Sequence, residues 1–140
     1  MKAYIAGKIG TNSELELLEK IAQICEDLGF KTFLPHRDVG IASSLKDVNK
    51  IFKGDIIDGF KNVDVIIANL NGLHVGAGTA WELGYAYAKN IPRIGIKTDE
   101  SVSDALEYLS SILIASMDIV SSLDELKEKL KNIKESENTD

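Results

Sequence analysis

A glycine-rich loop that leads into a helix is the segment best able to do chemistry, and it reads NLNGLHVGAGTAWELGY over residues 69–85. Glycines such as Gly76 and Gly78 let the backbone approach a ligand closely, and a helix start directs free N–H groups at whatever lies there. Glu82 follows Thr79 by three residues, which leaves two interpretations open. Its carboxylate either completes an N-terminal capping box with Thr79 or lies in a cleft as a nucleophile or base.

Two further carboxylates offer a partner for Glu82. Asp55 and Asp58 lie on a predicted helix that leads to Asp64. Cleavage of a glycosidic bond commonly uses two carboxyl groups, one as the nucleophile and one as the acid. The alternative for each aspartate is a solvated helix face, so the residues alone leave this pairing open.

Basic side chains and backbone donors after the first two predicted strands offer a phosphate site. His36 and Arg37 follow the second strand, and a guanidinium suits a phosphate well. Lys8 and the backbone of residues 10–12 follow the first strand, and consecutive backbone N–H groups also bind anions. The alternative for both groups is an ordinary surface loop.

Three common kinds of site are missing from the sequence. The loop at Gly76 and Gly78 lacks the third glycine of a dinucleotide fingerprint, and no acidic residue closes the second strand to bind a ribose. The two histidines and one cysteine do not have zinc-ligand spacing, and no Gly-x-Ser-x-Gly motif is present. We therefore expect neither a metal nor an organic cofactor.

Composition restricts the setting and the partners. The 140 residues contain 16 Lys and Arg against 22 Asp and Glu, a formal net charge of −6. Such a chain lacks the basic face that a nucleic-acid polymer needs, and its apolar runs are too short for a membrane span or a signal peptide. The single cysteine, Cys25, lies on a helical apolar stripe and favours a reducing compartment. We expect a cytoplasmic protein with a small-molecule ligand.

Strands and helices alternate along the chain and position the candidate residues. Short apolar runs predict strands at residues 2–6, 31–34, 64–69, 91–96 and 119–120. Alternation of this kind is typical of a doubly wound α/β fold, Rossmann-like or flavodoxin-like, with one parallel sheet of about five strands and helices on both faces. Ligands bind such sheets at the carboxyl ends of the strands, where the candidate loops lie.

Helical periodicity and capping signals predict the elements between the strands. The helices include one capped by Ser13 and Glu16 and others over residues 45–62 (broken at Gly54), 79–89, 104–115 and 122–133. Residues 1–134 are predicted to form a single catalytic domain that binds a nucleoside or nucleotide, a function that rests on the resemblance described next. Residues 135–140 are predicted to be a frayed polar tail.

The segment GTAWELGYA at residues 78–86 resembles the nucleoside 2-deoxyribosyltransferase family. The resemblance extends to YIAG at residues 4–7, to DVIIA at residues 64–68 and to PRIGIKTD at residues 92–99. The combination of these segments in this order is specific. It implies an enzyme that cleaves the N-glycosidic bond of a nucleoside and passes the deoxyribose to a second base without a cofactor.

The resemblance also implies roles for individual residues. Glu82 matches the family's nucleophile, which attacks the anomeric carbon and forms a covalent glycosyl-enzyme. Tyr4 matches the tyrosine that orients this nucleophile, and Asp55 matches the aspartate that contacts the leaving base or the sugar. The interval from Asp55 to Asp64 is one residue longer than the family pattern, so Asp58 is held as a reserve candidate.

The glycines and the tryptophan of the motifs are expected around the cleft. Gly7, Gly76 and Gly78 match cleft-lining positions, and Trp81 is expected to pack beside the site rather than to stack on a base. Gly76 is also a departure, because transferases of the family often have an aspartate there that helps to protonate the base.

This departure leaves the branch of the family open. Related 2′-deoxynucleoside 5′-monophosphate N-hydrolases have a serine in place of Gly76 and bind the phosphate of the substrate. The segment LSSIL at residues 109–113 resembles the one that supplies a serine to the neighbouring subunit's phosphate, which implies a role for Ser110 and a homodimer or higher homo-oligomer. Three functions stay open: a deoxyribosyltransferase acting on a nucleoside and a free base, a nucleotide N-hydrolase, and a non-catalytic nucleotide sensor.

Overall fold

Five strands form one parallel sheet in the computed structural model, which describes residues 1–138. The strands are β1 (Lys2–Ala6), β2 (Lys31–Phe33), β3 (Val65–Asn69), β4 (Arg93–Ile96) and β5 (Asp118–Val120). Their order across the sheet is β2-β1-β3-β4-β5. The predicted doubly wound α/β fold with about five parallel strands is confirmed.

Helices cover both faces of this sheet. They are α1 (Asn12–Asp27), α2 (Pro35–Asp38), α3 (Val48–Phe52), α4 (Ala77–Ala88), α5 (Ser111–Ala115) and α6 (Leu123–Asn138), with 3-10 turns at Leu45–Asp47 and Ser103–Ala105. A π-helical segment, Lys53–Asp58, continues directly from α3. The apolar sides of α1 and α6 pack on one face of the sheet, and those of the π-helical segment and α4 pack on the other.

Alternation along the buried strands builds a separate core on each face. In β1, Ala3 and Ile5 contribute to the core beneath α1 and α6, whereas Tyr4 and Ala6 contribute to the core beneath α4. Successive side chains of a strand point to opposite faces, and a parallel strand covered on both faces is apolar throughout. Tyr4 therefore lies on the same side of the sheet as Glu82.

The adjacent strands β1 and β3 create a crevice at the carboxyl edge of the sheet. β1 and β3 are neighbours in register, with Tyr4 beside Ile66. The chain leaves β1 toward the face covered by α1 and leaves β3 toward the face covered by α4. Connections that diverge in this way open a crevice between them, and it lies where the candidate loops were predicted.

The helix predicted over residues 45–62 is not broken at Gly54 but changes its winding near that residue. It continues from α3 into the π-helical segment, and the Gly59 N–H donates to the Gly54 carbonyl at 2.9 Å. Gly54 lies against Val39, because a Cβ at this position would come within 2.6 Å of a Val39 methyl carbon. π-helical turns are rare and occur frequently at functional sites.

The N-cap of α1 is Thr11, which lies two residues before the predicted cap, Ser13. The Thr11 hydroxyl accepts from the Glu14 N–H at 3.2 Å, and the Glu14 carboxylate accepts from the Thr11 N–H at 3.0 Å. Ser13 and Glu16 have the same spacing as this pair, so the predicted cap was wrong because two capping boxes overlap in the sequence.

The helix predicted over residues 104–115 is replaced by two short elements. The second, α5, begins where the Ser110 hydroxyl accepts from the Ile112 N–H at 3.2 Å. A hydroxyl that caps a new helix start in this way competes with continuation of the preceding turn. Residues 106–108 between the two elements form a turn.

The last helix is longer than predicted. α6 continues to Asn138, and Lys134 anchors it by donating to the Leu28 carbonyl at 2.9 Å. Residues 135–138 of the predicted frayed tail are therefore helical, and residues 139 and 140 lie outside the described residues. Within residues 1–138, none of the helices has the length and apolar character needed to cross a bilayer.

We predict that Gly59→Ala destabilises the fold. The added Cβ would lie 2.4 Å from the Asp55 carbonyl oxygen and 2.7 Å from a Phe33 ring carbon, and overpacking of this kind costs about 1–3 kcal/mol. The control is Gly84→Ala on α4, where a Cβ meets no atom within 4 Å and alanine gains about 0.5–1 kcal/mol in a helix. Urea unfolding measures both variants, and equal free energies of unfolding would contradict the prediction.

Candidate functional site

A cleft of about 670 Å³ opens at the carboxyl ends of β1, β2 and β3. Its walls come from the loops after these strands, from α3 with the π-helical segment, and from the first turns of α4. Of the residues predicted for the site, those that line it are Gly7, Lys8, His36, Asp55, Gly76, Gly78 and Glu82. The structure therefore brings residues from four separate parts of the sequence to one place.

Glu82 accepts a hydrogen bond from a side chain of strand β1. The Tyr4 hydroxyl donates to Oε2 of Glu82, and Tyr4 itself is fully buried. The Tyr4 ring is stacked on Phe60 with centroids 4.2 Å apart and is tilted against Phe33 at 5.1 Å. Because both neighbours fix the ring, the hydroxyl has a defined position and sets the direction of the carboxylate.

The environment of Glu82 raises its pKa to about 7. Burial is the main cause, because it disfavours the charged form. The hydrogen bond from Tyr4 opposes this rise by stabilising the carboxylate, and the negative charge of Asp55 adds to it. Burial and the adjacent Glu82 raise the pKa of Tyr4 as well, so the phenol keeps its proton and remains a donor.

The capping-box interpretation of Glu82 is wrong. Helix α4 begins at Ala77 with Gly76 as its N-cap, and no side chain caps it. Thr79 is thus the third helical residue rather than the cap, and Glu82 lies in the second turn. At this depth its side chain turns toward Tyr4 and the sheet instead of reaching back to the helix start.

Asp55 is the second carboxylate of the cleft. Its burial raises its pKa to about 6, and its Oδ1 atom is buried without a hydrogen-bond partner among residues 1–138. Buried polar atoms are almost always paired in native structures, so this acceptor in the cleft is free to accept a hydrogen bond from a small molecule. Asp55 and Glu82 also interact electrostatically across the cleft.

Asp58 is directed away from this pair. It forms ion pairs with Lys53 at 3.9 Å and with Lys61 at 3.4 Å, and it is not among the residues that line the cleft. In an α-helix, residues three apart lie on one face. The wider π winding turns Asp58 away from the side that carries Asp55.

The loop glycines allow close approaches around Lys8. A Cβ at Gly7 would lie 2.8 Å from a Leu18 methyl carbon, and a Cβ at Gly76 would lie 3.0 Å from Cγ of Lys8. The Lys8 side chain therefore occupies the space beside Gly76, and its ammonium pairs with Glu14 at 3.7 Å. Gly78 has open space around its Cα.

Of the other residues predicted to bind a phosphate, His36 lies at the cleft and Arg37 and Ser110 do not. His36 lines it, but the Arg37 guanidinium donates to Asp38 at 2.9 Å and to the Thr32 carbonyl at 3.0 Å. Ser110 is exposed and caps α5. Arg37 and Ser110 do not line this chain's cleft, so their predicted contact with a phosphate stays a prediction.

Polar contacts between two loops fix the glycine-rich segment, and the sequence reasoning missed them. The Thr98 N–H donates to Asn71 at 2.8 Å, and the Gly72 N–H donates to Asp99 at 2.8 Å. The Lys97 ammonium, which is buried, donates to the same Asp99 at 2.8 Å. A lysine and an aspartate immediately after an apolar strand were the available signal.

An aromatic wall was also missed in part. Phe52 and Trp81 line the cleft, with ring centroids 5.9 Å apart and ring planes at 77°. The sequence predicts only that Trp81 packs beside the site, and it makes no prediction for Phe52. The spacing of Phe52 three residues before Asp55 would have placed both on one helical element.

The structure contains no group of three or more His, Cys, Asp or Glu side chains arranged to hold a metal ion among residues 1–138. The polar side chains that line the cleft include two carboxylates, a lysine, a histidine and a threonine, and the Tyr4 phenol lies behind Glu82 without lining the cleft itself. These groups can supply a nucleophile, an acid and hydrogen bonds to a small polar molecule.

The sequence model of one protein family, described as nucleoside 2-deoxyribosyltransferase, matches residues 3–133 of the chain. This match includes β1, the π-helical segment and the loop that leads into α4, so all the groups of the cleft lie inside it. A search of curated proteins gives no match.

Solved structures share the fold along nearly the whole chain. A conserved protein of Enterococcus faecalis is 27% identical, with a TM-score of 0.70 over 94% of this chain and 98% of its own. The 2-deoxyribosyltransferase of Bacillus psychrosaccharolyticus is 21% identical, with a TM-score of 0.76 over 91% and 90%. The CMP N-glycosidase of Clostridium botulinum is 20% identical, with a TM-score of 0.55 over 94% and 99%. The last two likenesses show the fold.

We predict that Glu82→Gln changes how stability depends on pH. In the folded chain the pKa of Glu82 lies above its ordinary value of 4.5. The protonated carboxyl group of Glu82 therefore contributes its full stabilisation below pH 4.5. This contribution is lost as the pH rises through about 7. The wild type should therefore lose roughly 1–3 kcal/mol of unfolding free energy from this group between about pH 5 and pH 8.

The variant should not lose this contribution, because glutamine has no proton to release. Part of the dependence of the unfolding free energy on pH should remain in the variant, since the pKa of Asp55 is also raised. Glu19→Gln, on the exposed side of α1, is the control. Urea titrations at several pH values measure the effect, and curves for Glu82→Gln that run parallel to the wild type would contradict it.

Proposed function

Because the chain belongs to the nucleoside 2-deoxyribosyltransferase family, we propose that it cleaves the N-glycosidic bond of a deoxyribonucleoside and transfers the sugar to a second base. Family membership supports the enzyme class, glycosyl transfer or N-glycoside cleavage. The observation that carries the finer proposal is the buried Glu82 carboxylate, oriented by Tyr4 in a cleft that also contains Asp55. A fixed carboxylate facing a substrate-sized cleft suits nucleophilic catalysis.

In the first step an oxygen of Glu82 bonds to the anomeric carbon while the bond from that carbon to the base breaks. The electron pair of the broken bond goes to the base, which takes a proton. The hydroxyl of Tyr4 holds the other carboxylate oxygen, so the attacking atom keeps one direction throughout the step.

In the second step a nitrogen of the acceptor base attacks the same carbon from the face that the first base left. The bond from this carbon to the Glu82 oxygen breaks, the carboxylate is restored, and the acceptor loses its proton. Two displacements return the original configuration at the anomeric carbon. The product is a nucleoside with the same anomeric form and a different base.

Asp55 is proposed to contact the substrate and to carry the proton. Its unpaired Oδ1 atom is available to the base or to a sugar hydroxyl. Its pKa of about 6 lies close to neutral pH, where a group that gives and then takes back a proton is most effective. One carboxyl group thus serves the leaving base and the entering base in turn.

The charges around the cleft favour a nucleoside over a nucleotide. Lys8 is the only lysine or arginine among the described residues that line the cleft, and it already pairs with Glu14. Arg37 is held by Asp38 and the Thr32 carbonyl. A phosphate dianion would need more free donors than these, because binding it in a cleft requires charge compensation.

A nucleotide N-hydrolase is the second candidate, and it is favoured by the environment of Gly76. No carboxylate is present there, and the Lys8 side chain occupies the adjacent space. If Lys8 exchanged Glu14 for a phosphate, it and His36 would be the donors within the cleft. A non-catalytic nucleotide sensor is the third candidate, and it would bind nucleotides without turnover.

A homo-oligomer is the proposed assembly. Ser110 is exposed and lies outside its own chain's cleft, so any contact with a substrate phosphate would be made in a neighbouring copy. Light scattering of the purified protein measures the mass, and a monomer at working concentration would contradict this assembly.

The proposed function is tested by product analysis with a matched pair of variants. Each deoxynucleoside and each 5′-monophosphate is incubated with and without a second base, and products are separated by chromatography. We predict base exchange with nucleosides, reduced about 1,000-fold or more in Glu82→Gln. Glu19→Gln, a distant exposed position, should retain the wild-type rate.

The outcomes separate the candidates. Base release from monophosphates alone, lost in Glu82→Gln, would establish the hydrolase instead of the transferase. Turnover that Glu82→Gln leaves unchanged would contradict the nucleophile. Binding of nucleotides with no product from any substrate would favour the sensor.

A further inference from the structure

The outer part of the cleft is formed by an exposed pair of aromatic side chains. Phe52 and Trp81, here called the aromatic corner, are 50% and 51% exposed although large aromatic side chains are mostly buried in a folded chain. Their ring planes meet at 77° with centroids 5.9 Å apart. Exposed aromatic surface inside a cleft is a characteristic of ligand sites.

A chain of ring contacts ties the aromatic corner to the reactive end of the cleft. Trp81 is stacked on Tyr85 with centroids 5.6 Å apart and planes at 13°. Tyr85 contacts Phe60 edge to face at 5.0 Å, and Phe60 is stacked on Tyr4. The corner and the donor to Glu82 are therefore held by one continuous aromatic cluster.

Each of two helical elements contributes one aromatic ring and one carboxylate. Phe52 ends α3, and Asp55 follows on the π-helical segment. Trp81 and Glu82 are consecutive residues of α4. The cleft consequently has an aromatic part and an acidic part at a fixed separation, which matches a ligand with one flat apolar part and one polar part.

We propose that the aromatic corner is the subsite for the nucleobase, a conclusion that rests on the proposed function. A planar base that stacks on one ring meets the other edge-on, because the rings are nearly perpendicular. The neighbouring lining is apolar, from Ile41, Ala42, Val48 and Ile51. Surfaces of this kind recognise bases by stacking area rather than by hydrogen bonds to the base edge.

This subsite predicts a broad tolerance for bases that is graded by ring size. Purines offer more stacking area than pyrimidines, so adenine should bind more tightly than thymine. Stacking of a base on an aromatic side chain is a sizeable term, and its loss corresponds to a weakening of binding of about 5- to 100-fold.

The test uses the tryptophan itself as the probe, because Trp81 is the single tryptophan of the chain. Free adenine, thymine and deoxyribose are titrated separately into the wild-type protein while tryptophan fluorescence is followed. We expect quenching by both bases, tighter binding of adenine, and no quenching by deoxyribose. Without a glycosyl donor no turnover takes place, so the signal reports binding alone.

Variants of the corner give an independent measurement by calorimetry. Phe52→Leu and Trp81→Leu should each weaken adenine binding by about 5- to 100-fold. Tyr87→Leu, an exposed aromatic of α4 that does not line the cleft, should leave it unchanged. Adenine binding that calorimetry detects but that neither quenches Trp81 nor responds to the two corner variants would overturn the proposal, as would no binding of any base.

The same measurements distinguish this proposal from the proposed function. Turnover of nucleosides with an unchanged KM in Phe52→Leu and Trp81→Leu would overturn the subsite and leave the reaction standing. Quenching by bases together with no product from any nucleoside would sustain a base subsite and overturn the reaction.

Discussion

The hydrogen bond between the Tyr4 hydroxyl and the Glu82 carboxylate is the contact on which the site depends. It joins strand β1, in the interior of the sheet, to the helix that follows the glycine-rich loop. Burial and the negative charge of Asp55 push Glu82 toward its protonated form, and the phenol opposes them. The balance leaves a pKa of about 7, so a buried carboxylate is still substantially ionised near neutral pH.

The surrounding structure serves to keep this contact in place, and it does so at some cost in stability. The contacts of the Tyr4 ring with Phe60 and Phe33 give its hydroxyl a defined position. The π-helical segment brings Asp55 into the cleft with an unpaired oxygen, and an unpaired buried acceptor is unfavourable. Strain and unpaired groups concentrate at functional sites because the rest of the fold compensates for them.

The sequence predicts the features of the fold and of the candidate site that depend on local patterns of residues. Apolar runs predicted the strands, their alternation with helices predicted a parallel sheet, and the motif around Glu82 predicted the candidate site. The choice between a capping box and a nucleophile depends on where α4 begins. The helix begins at Ala77, two residues before the start that the sequence predicts. Asp55 and Asp58 point in different directions because of the π winding, and no pattern in the sequence predicts that winding. The aromatic corner could not be predicted because it forms only when the fold brings together two helices that are distant in the sequence.

The most direct test of the central claim is to look for the covalent glycosyl-enzyme itself. The wild-type protein is mixed with a deoxynucleoside in the absence of an acceptor base, quenched rapidly in acid, digested and examined by mass spectrometry. We predict a deoxyribosyl adduct on the peptide that contains Glu82, and we expect this adduct to be lost when an acceptor base is added before the quench. Base release with no adduct on that peptide, or with an adduct on another residue, would contradict the assignment of Glu82 as the nucleophile.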